Sequence, residues 1–205
     1  MHRIHSVLIT LSGLLLFSAS ATAQTQPAPT TVQTAIFAGG CFWCIEADFE
    51  KLDGVIEVVS GYTGGSADTA NYKAVSRTET GHYEAVEVRY DAQTVSYAEL
   101  VEYFWRHIDP TDAQGQFCDK GSSYRSAIFY ANDAQRDAAI NSLRELQVSK
   151  PFKAEIVTPI LAAKPFYLAE TYHQDYYKKN PIRYRYYRNG CGRDQRTAEL
   201  WGQKN

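Results

Sequence analysis

The sequence predicts an α+β fold, with a ferredoxin-like βαββαβ core in which one sheet carries its helices on one face. Three observations predict it. The first six periodic segments run strand, helix, strand, strand, helix, strand. The strand candidates are short apolar runs or alternate apolar with polar residues, whereas the helix candidates space their apolar residues three and four apart. Two long stretches with neither period, 63–82 and 109–123, interrupt that order, and loops of such length in a compact domain are where sites are built.

Each element has its own signal. "TAIFAGG" (34–40) is an apolar run ending in glycines, so a strand that enters a turn. From Cys41 to Leu52, the residues Phe42, Ile45, Phe49 and Leu52 share one side of a helix, which Asp53-Gly54 stops. "VIEVVSGY" (55–62) gives the second strand. After the first long loop, "YEAVEVRYD" (83–91) gives the third, with clear alternation. Ser96 and Glu99 form a capping box for a helix that reaches His107 and ends at Asp109-Pro110. Beyond the second loop, "YRSAIFYAN" (124–132) is a strand, 133–150 an amphipathic helix, and "AEIVTPIL" (154–161) a strand broken by Pro159. "YLAETYHQDYYKKN" (167–180) is expected to be the last helix, stopped by Asn180-Pro181. From 182 the Tyr/Arg-rich C-terminal tail is expected to be irregular.

The chain of 205 residues begins with a short basic stretch and an apolar run, Val7 to Phe17, too short to span a bilayer. Ala21-Thr22-Ala23 then gives a small-x-small cleavage pattern. Residues 1–23 are expected to be a cleaved signal peptide, 24–33 a Pro/Thr/Gln linker, and 34–205 a single catalytic domain. The expected location is exported, in the periplasm, where disulfides persist. With Arg3 removed, 20 Lys and Arg stand against 23 Asp and Glu, a formal charge of −3. That weakly acidic balance does not predict nucleic acid or an anionic membrane as a partner. A monomer is expected. Met1 is the only methionine, so the processed chain carries none of this oxidation-prone side chain.

The four cysteines are Cys41, Cys44, Cys118 and Cys191. A zinc site would want two close pairs, or one pair with closely spaced histidines, and His82, His107 and His173 are scattered. A structural disulfide is open to Cys118 with Cys191. It suits Cys41 with Cys44 poorly, because so small a loop removes little chain entropy. For that pair a reactive reading explains more. Gly39-Gly40 makes a tight turn, and Cys41 then falls in the first turn of a helix. Unpaired N–H groups and the positive dipole end there favour a thiolate. Phe42 and Trp43 set an apolar wall beside the sulfur. A nucleophile facing a poor leaving group also needs an acid. The strand period of two puts Glu84 on the face of Val86, Val88 and Tyr90. A carboxyl on an apolar face has a raised pKa, which a general acid near neutral pH requires.

"GGCFWCIEADFEKLDGVIEVVSGYTGG", "GHYEAVEV", "CDKGSSYRSAIFY" and "YHQDYYKKNP" together resemble the methionine sulfoxide reductase A family over about 34–185. The resemblance implies thiol-dependent reduction of the S epimer of methionine sulfoxide, free or within proteins, with no metal, flavin or other cofactor. It implies that Cys41 is the nucleophile, that Phe42 and Trp43 receive the substrate methyl group, and that Glu84 protonates the sulfoxide oxygen. Tyr72 and Tyr124 match hydroxyls that hold that oxygen. Asp119 matches the carboxylate near the substrate's backbone amide. His173 and Gln174 match a helix motif and are expected to be structural. Many relatives carry glycine where this chain has Cys44, and place a recycling cysteine earlier after Asn-Pro than Cys191.

The expected reaction starts with attack of Cys41 on the sulfoxide sulfur, leaving methionine and a Cys41 sulfenic acid. A second cysteine then closes a disulfide. Cys44 is expected to do so, since positions three apart at a helix start lie close, with Cys191 and Cys118 as alternatives. A thioredoxin-type dithiol would reduce that bond, and oxidised exported proteins would be the substrates repaired. Two other readings remain open at this point: a general CxxC thiol–disulfide oxidoreductase, and an exported metal-binding protein.

Overall fold

The computed structural model describes residues 31–202. The expected signal peptide and residues 24–30 of the expected linker lie outside the described residues.

β1 (Val32–Gly39) leads through Gly40 and Cys41 into α1 (Phe42–Phe49). β2 (Val55–Thr63), a short α2 (Tyr72–Val75) and β3 (Tyr83–Asp91) follow. Next come α3 (Tyr97–Arg106), a small hairpin of β4 (Gly115–Gln116) with β5 (Asp119–Lys120), β6 (Ser126–Tyr130) and α4 (Asp133–Ser149). The chain ends with β7 (Ile160–Ala162), β8 (Phe166–Leu168), α5 (Tyr176–Lys179), α6 (Pro181–Gly190) and α7 (Arg193–Trp201).

Among the described residues, six strands form one mixed sheet in the order β7-β6-β1-β3-β2-β8, in which only β6 and β7 run parallel. The architecture is α+β, as expected. β1 pairs with β3 so that Ala35 faces Val88 and Phe37 faces Val86. The main core lies between this sheet and α1, α3 and α4. At its centre Phe37 stacks on Phe49 and Phe104, with ring centroids 4.9 and 5.0 Å apart. Burying each such ring contributes roughly 1.5–3 kcal/mol. A smaller cluster of Ala38, Ala85, Ala127 and Phe129 covers the opposite face. The capping box holds: Ser96 Oγ accepts from Glu99 N, and a Glu99 carboxylate oxygen accepts from Ser96 N at 2.7 Å. No helix among the described residues is long and apolar enough to cross a membrane.

Three expectations fail in the last third of the chain. The strand expected over 154–161 starts only after Pro159, whose missing N–H cannot join a ladder. The helix expected over 167–180 is instead the edge strand β8, a stretch of turns, and one turn of helix. Its polar residues are committed to distant partners: Gln174 binds the N–H and carbonyl of Ser60 at 2.9 and 2.8 Å, and Glu170 accepts from Tyr72 N at 2.9 Å. The tail expected to be irregular forms α6 and α7. Pro181 sits in the first turn of α6, and Gly192, at φ 65°, breaks the chain into α7. Arg188 and Arg193 are the side chains these helices bury deeply, together with Thr197 and Leu200, so no apolar period announces them.

Candidate active site

The turn before α1 places the first cysteine. A Cβ on Gly39 would lie 2.6 Å from Ile45 Cδ1, and one on Gly40 would lie 2.6 Å from Gln116 Cβ. Gly40 also has φ 84°, a conformation that side chains resist. This pair lets β1 bend directly into α1, with Cys41 at the position just before its first turn and no side-chain cap there.

Cys41 opens into a pocket of about 240 Å³. Phe42, Trp43, Tyr72, Glu84, Asp119 and Tyr124 line it, so the side chains singled out from four separate stretches of sequence meet in one cavity. Arg183 and Tyr187 complete the lining. Trp43 lies flat on Tyr176, with centroids 3.7 Å apart and planes at 6°, and its indole N–H donates to His173 Nδ1 at 3.0 Å. His173 is thus a packing residue that fixes the aromatic wall, and burial holds its pKa below the usual value. Glu170 positions the α2 backbone at Tyr72, and Asn71 caps that helix by accepting from Ala74 N.

Glu84 is 2% exposed and shares its buried face with Val86, Val88 and Tyr90. Burial pushes its carboxyl up to about 8. The Phe42 N–H, 3.2 Å from Oε2, opposes that rise, while the Asp119 charge adds to it. Near neutral pH the pocket therefore holds a protonated carboxyl. Burial likewise raises Tyr72 and Tyr124, which stay as hydroxyl donors. Asp119 accepts from the Tyr187 hydroxyl, and burial raises its pKa too.

The expected lowering of the Cys41 thiol does not occur. Cys41 is 6% exposed, and burial, the hydrogen bond to Cys44 and the nearby charges of Glu84 and Asp119 push it well above its ordinary value. The start of an eight-residue helix does not outweigh that desolvation. Cys44 is instead lowered to about 7, because it accepts from the Cys41 thiol and lies in the field of Arg193 and Arg188, against the opposing cost of burial. The two free thiols form one buried, hydrogen-bonded pair in which Cys41 is raised and Cys44 lowered. Cys118 and Cys191 are joined by a disulfide across 73 residues, with Cα atoms 4.9 Å apart.

Arg183 and Tyr187 were not singled out from the sequence. They are four apart on one face of α6, a spacing that carries meaning only once that segment is known to be helical.

A sulfur nucleophile, a protonated buried acid, two hydroxyl donors and an aromatic wall can together receive a small polar group carried beside a methyl. Known proteins agree with that chemistry. The model of the family described as Peptide methionine sulfoxide reductase matches residues 33–205. The Peptide methionine sulfoxide reductase MsrA of Bacillus subtilis is 52% identical over 172 residues, covering 84% of this chain and 97% of that protein. The MsrA/MsrB protein of Vibrio cholerae is 46% identical over 199 residues, 94% of this chain, which spans 53% of that longer protein. The solved methionine sulfoxide reductase A of Corynebacterium diphtheriae is 32% identical with a TM-score of 0.65, over 78% of this chain and 79% of that one. The pocket and these relatives lead to one assignment: the chain belongs to the peptide methionine sulfoxide reductase family of oxidoreductases.

Proposed function

We propose that this protein reduces the S epimer of methionine sulfoxide, free or in oxidised proteins, through a Cys41 sulfenic acid. The observation that carries the reading is Glu84, a carboxyl buried at the pocket wall, raised to about 8 and set beside Cys41 and the Phe42–Trp43 wall. The substrate methyl packs against Phe42 and Trp43. The sulfoxide oxygen meets the hydroxyls of Tyr72 and Tyr124. Cys41 attacks the sulfur as Glu84 delivers its proton to the oxygen. The protonated oxygen then bonds to the Cys41 sulfur as the substrate's S–O bond and the transient bond between the two sulfurs break, so methionine leaves and Cys41 carries the oxygen as sulfenic acid. Cys44 then attacks that sulfur and closes a disulfide. A thioredoxin-type dithiol reopens it by exchange. Asp119 receives the substrate's backbone amide.

The Cys118–Cys191 disulfide supports Cys44 as the recycling thiol, since both alternatives are already engaged. It also supports export to an oxidising compartment such as the periplasm, together with the apolar start and the Ala-Thr-Ala pattern of residues 1–23. The protein acts as a monomer in this reading. The run β6-β1-β3-β2 supports a ferredoxin-like core at the centre of the sheet. The test is incubation with each sulfoxide epimer and dithiothreitol, followed by chiral analysis. Loss of the S epimer alone is expected; loss of neither, or of the R epimer, would overturn the reading.

A further inference from the structure

The α6–α7 arm plants two guanidinium groups beneath the cysteine pair. Arg188 is 8% exposed and Arg193 2%, a burial that arginine tolerates only when paired. They converge on α1. Both terminal nitrogens of Arg188 donate to Asp48 Oδ2 at 3.1 Å, and Arg193 Nε lies 3.9 Å from the same oxygen. Asp48 follows Cys44 by four residues, one turn along the same helix face. Arg188 also grips Asp194, whose side chain is 56% exposed. Arg193 Nη2 donates to the carbonyls of Gly39 and His107 at 3.1 and 3.0 Å, which fixes it against the turn that launches α1. Its Nε is buried with no hydrogen-bond acceptor. Leaving such a donor unanswered costs about 1–3 kcal/mol, more for a charged group. Cys44, 2% exposed and one turn before Asp48 on the same helix face, is a buried ionisable side chain in the field of both guanidinium groups.

We infer that Arg188 and Arg193 are positioning residues that hold one negative charge on the Cys41–Cys44 pair, and that this charge serves both halves of the reaction. The inference rests on the reductase reading above. In the first half, Cys41 passes its proton to the Cys44 thiolate as it attacks, so a nucleophile with a raised pKa needs no other base. In the second half, Cys44 gives that proton up while its sulfur attacks the Cys41 sulfenic sulfur. The S–S bond forms, the S–O bond breaks, and the departing hydroxide takes the proton and leaves as water. The lowering of Cys44 to about 7 agrees with this arrangement. The groups that face Cys44 are Cys41 just before α1, Asp48 on α1, Glu84 on β3, Tyr184 and Arg188 on α6, and Arg193 on α7.

The experiment is a pH titration of ultraviolet thiolate absorbance on the whole chain with Cys41 and Cys44 reduced, using Cys44→Ser to identify the pair's signal. A midpoint near 7 is expected for the pair. Arg188→Gln and Arg193→Gln should move it up by about one pH unit or more, as loss of a nearby opposite charge does. Arg188→Lys and Arg193→Lys should restore most of the shift. Asp194→Asn, at an exposed position, should move the midpoint the other way by freeing Arg188 from a competing anion; it keeps the inference testable where the Gln variants do not fold. An unchanged midpoint in the folded Gln variants, or no downward shift in Asp194→Asn, would overturn it. The titration needs no sulfoxide, so a chain that titrates as expected yet spares both epimers would refute the reductase reading alone.

Discussion

Replacing Glu84 with Gln should slow the enzyme and stabilise it. The amide keeps the shape, and its oxygen can still accept the Phe42 N–H now given to Oε2 at 3.2 Å. What it loses is the proton. Removal of a general acid typically costs about 10²–10⁴-fold in rate, and the first methionine formed in a rapid-mixing experiment should slow by that factor. Stability follows from the sign of the pKa change. Burial pushes the folded carboxyl up to about 8 from the ordinary 4.5 of a free glutamate. A carboxyl raised on folding favours the fold below the unfolded pKa, and that advantage is lost as pH rises through the folded one. At about 1.36 kcal/mol per pH unit, keeping Glu84 ionised in the fold costs on the order of 5 kcal/mol at about pH 9. Glu84→Gln should therefore unfold at higher urea than the parent at about pH 9, and the gap should shrink steadily toward about pH 5. A rate within a few-fold of the parent would place Glu84 outside the chemistry. A stability gap that does not widen with pH would show that its carboxyl is not held neutral.

Other outcomes follow from the same geometry. Cys41→Ser should abolish turnover and leave the circular dichroism spectrum unchanged; substantial activity in the folded variant would remove Cys41 from the mechanism. Trp43→Ala should raise the KM for free methionine sulfoxide about tenfold, the loss expected for one buried apolar contact. Lys178→Ala, which breaks ion pairs with Glu50 and Asp175 away from the pocket, should leave KM unchanged. Equal effects would make Trp43 core packing alone. Cys118→Ser with Cys191→Ser should lower unfolding stability by up to about 4.4 kcal/mol, the chain-entropy ceiling for a loop this long. Thermal melts with and without reductant should show the same difference in the parent and none in the variant.

The first two thirds of the fold were legible because ordinary hydrophobic burial makes them. β3 occupies the stretch its alternation marked, and that same alternation aimed Glu84 into the pocket. Ser96 and Glu99 announced α3 through local hydrogen bonds. The last third is held differently. α6 and α7 bury guanidinium groups against Asp48, and 167–180 spends Glu170, His173 and Gln174 on partners about a hundred residues away. Neither arrangement leaves a period in the sequence. Tyr187 and Arg183 were missed for that reason. The raised Cys41 thiol leaves no such signal: a helix start is visible in sequence, whereas burial beside two carboxyls is not.

The central claim is that Cys41 takes the oxygen and Cys44 closes the bond. It is tested most directly by oxidising the reduced protein with one equivalent of the S epimer and mapping disulfides by non-reducing peptide mass spectrometry. The account predicts one methionine per chain and a Cys41–Cys44 peptide at the earliest time point, with Cys118–Cys191 intact. A first-formed Cys41–Cys118 or Cys41–Cys191 peptide would contradict it.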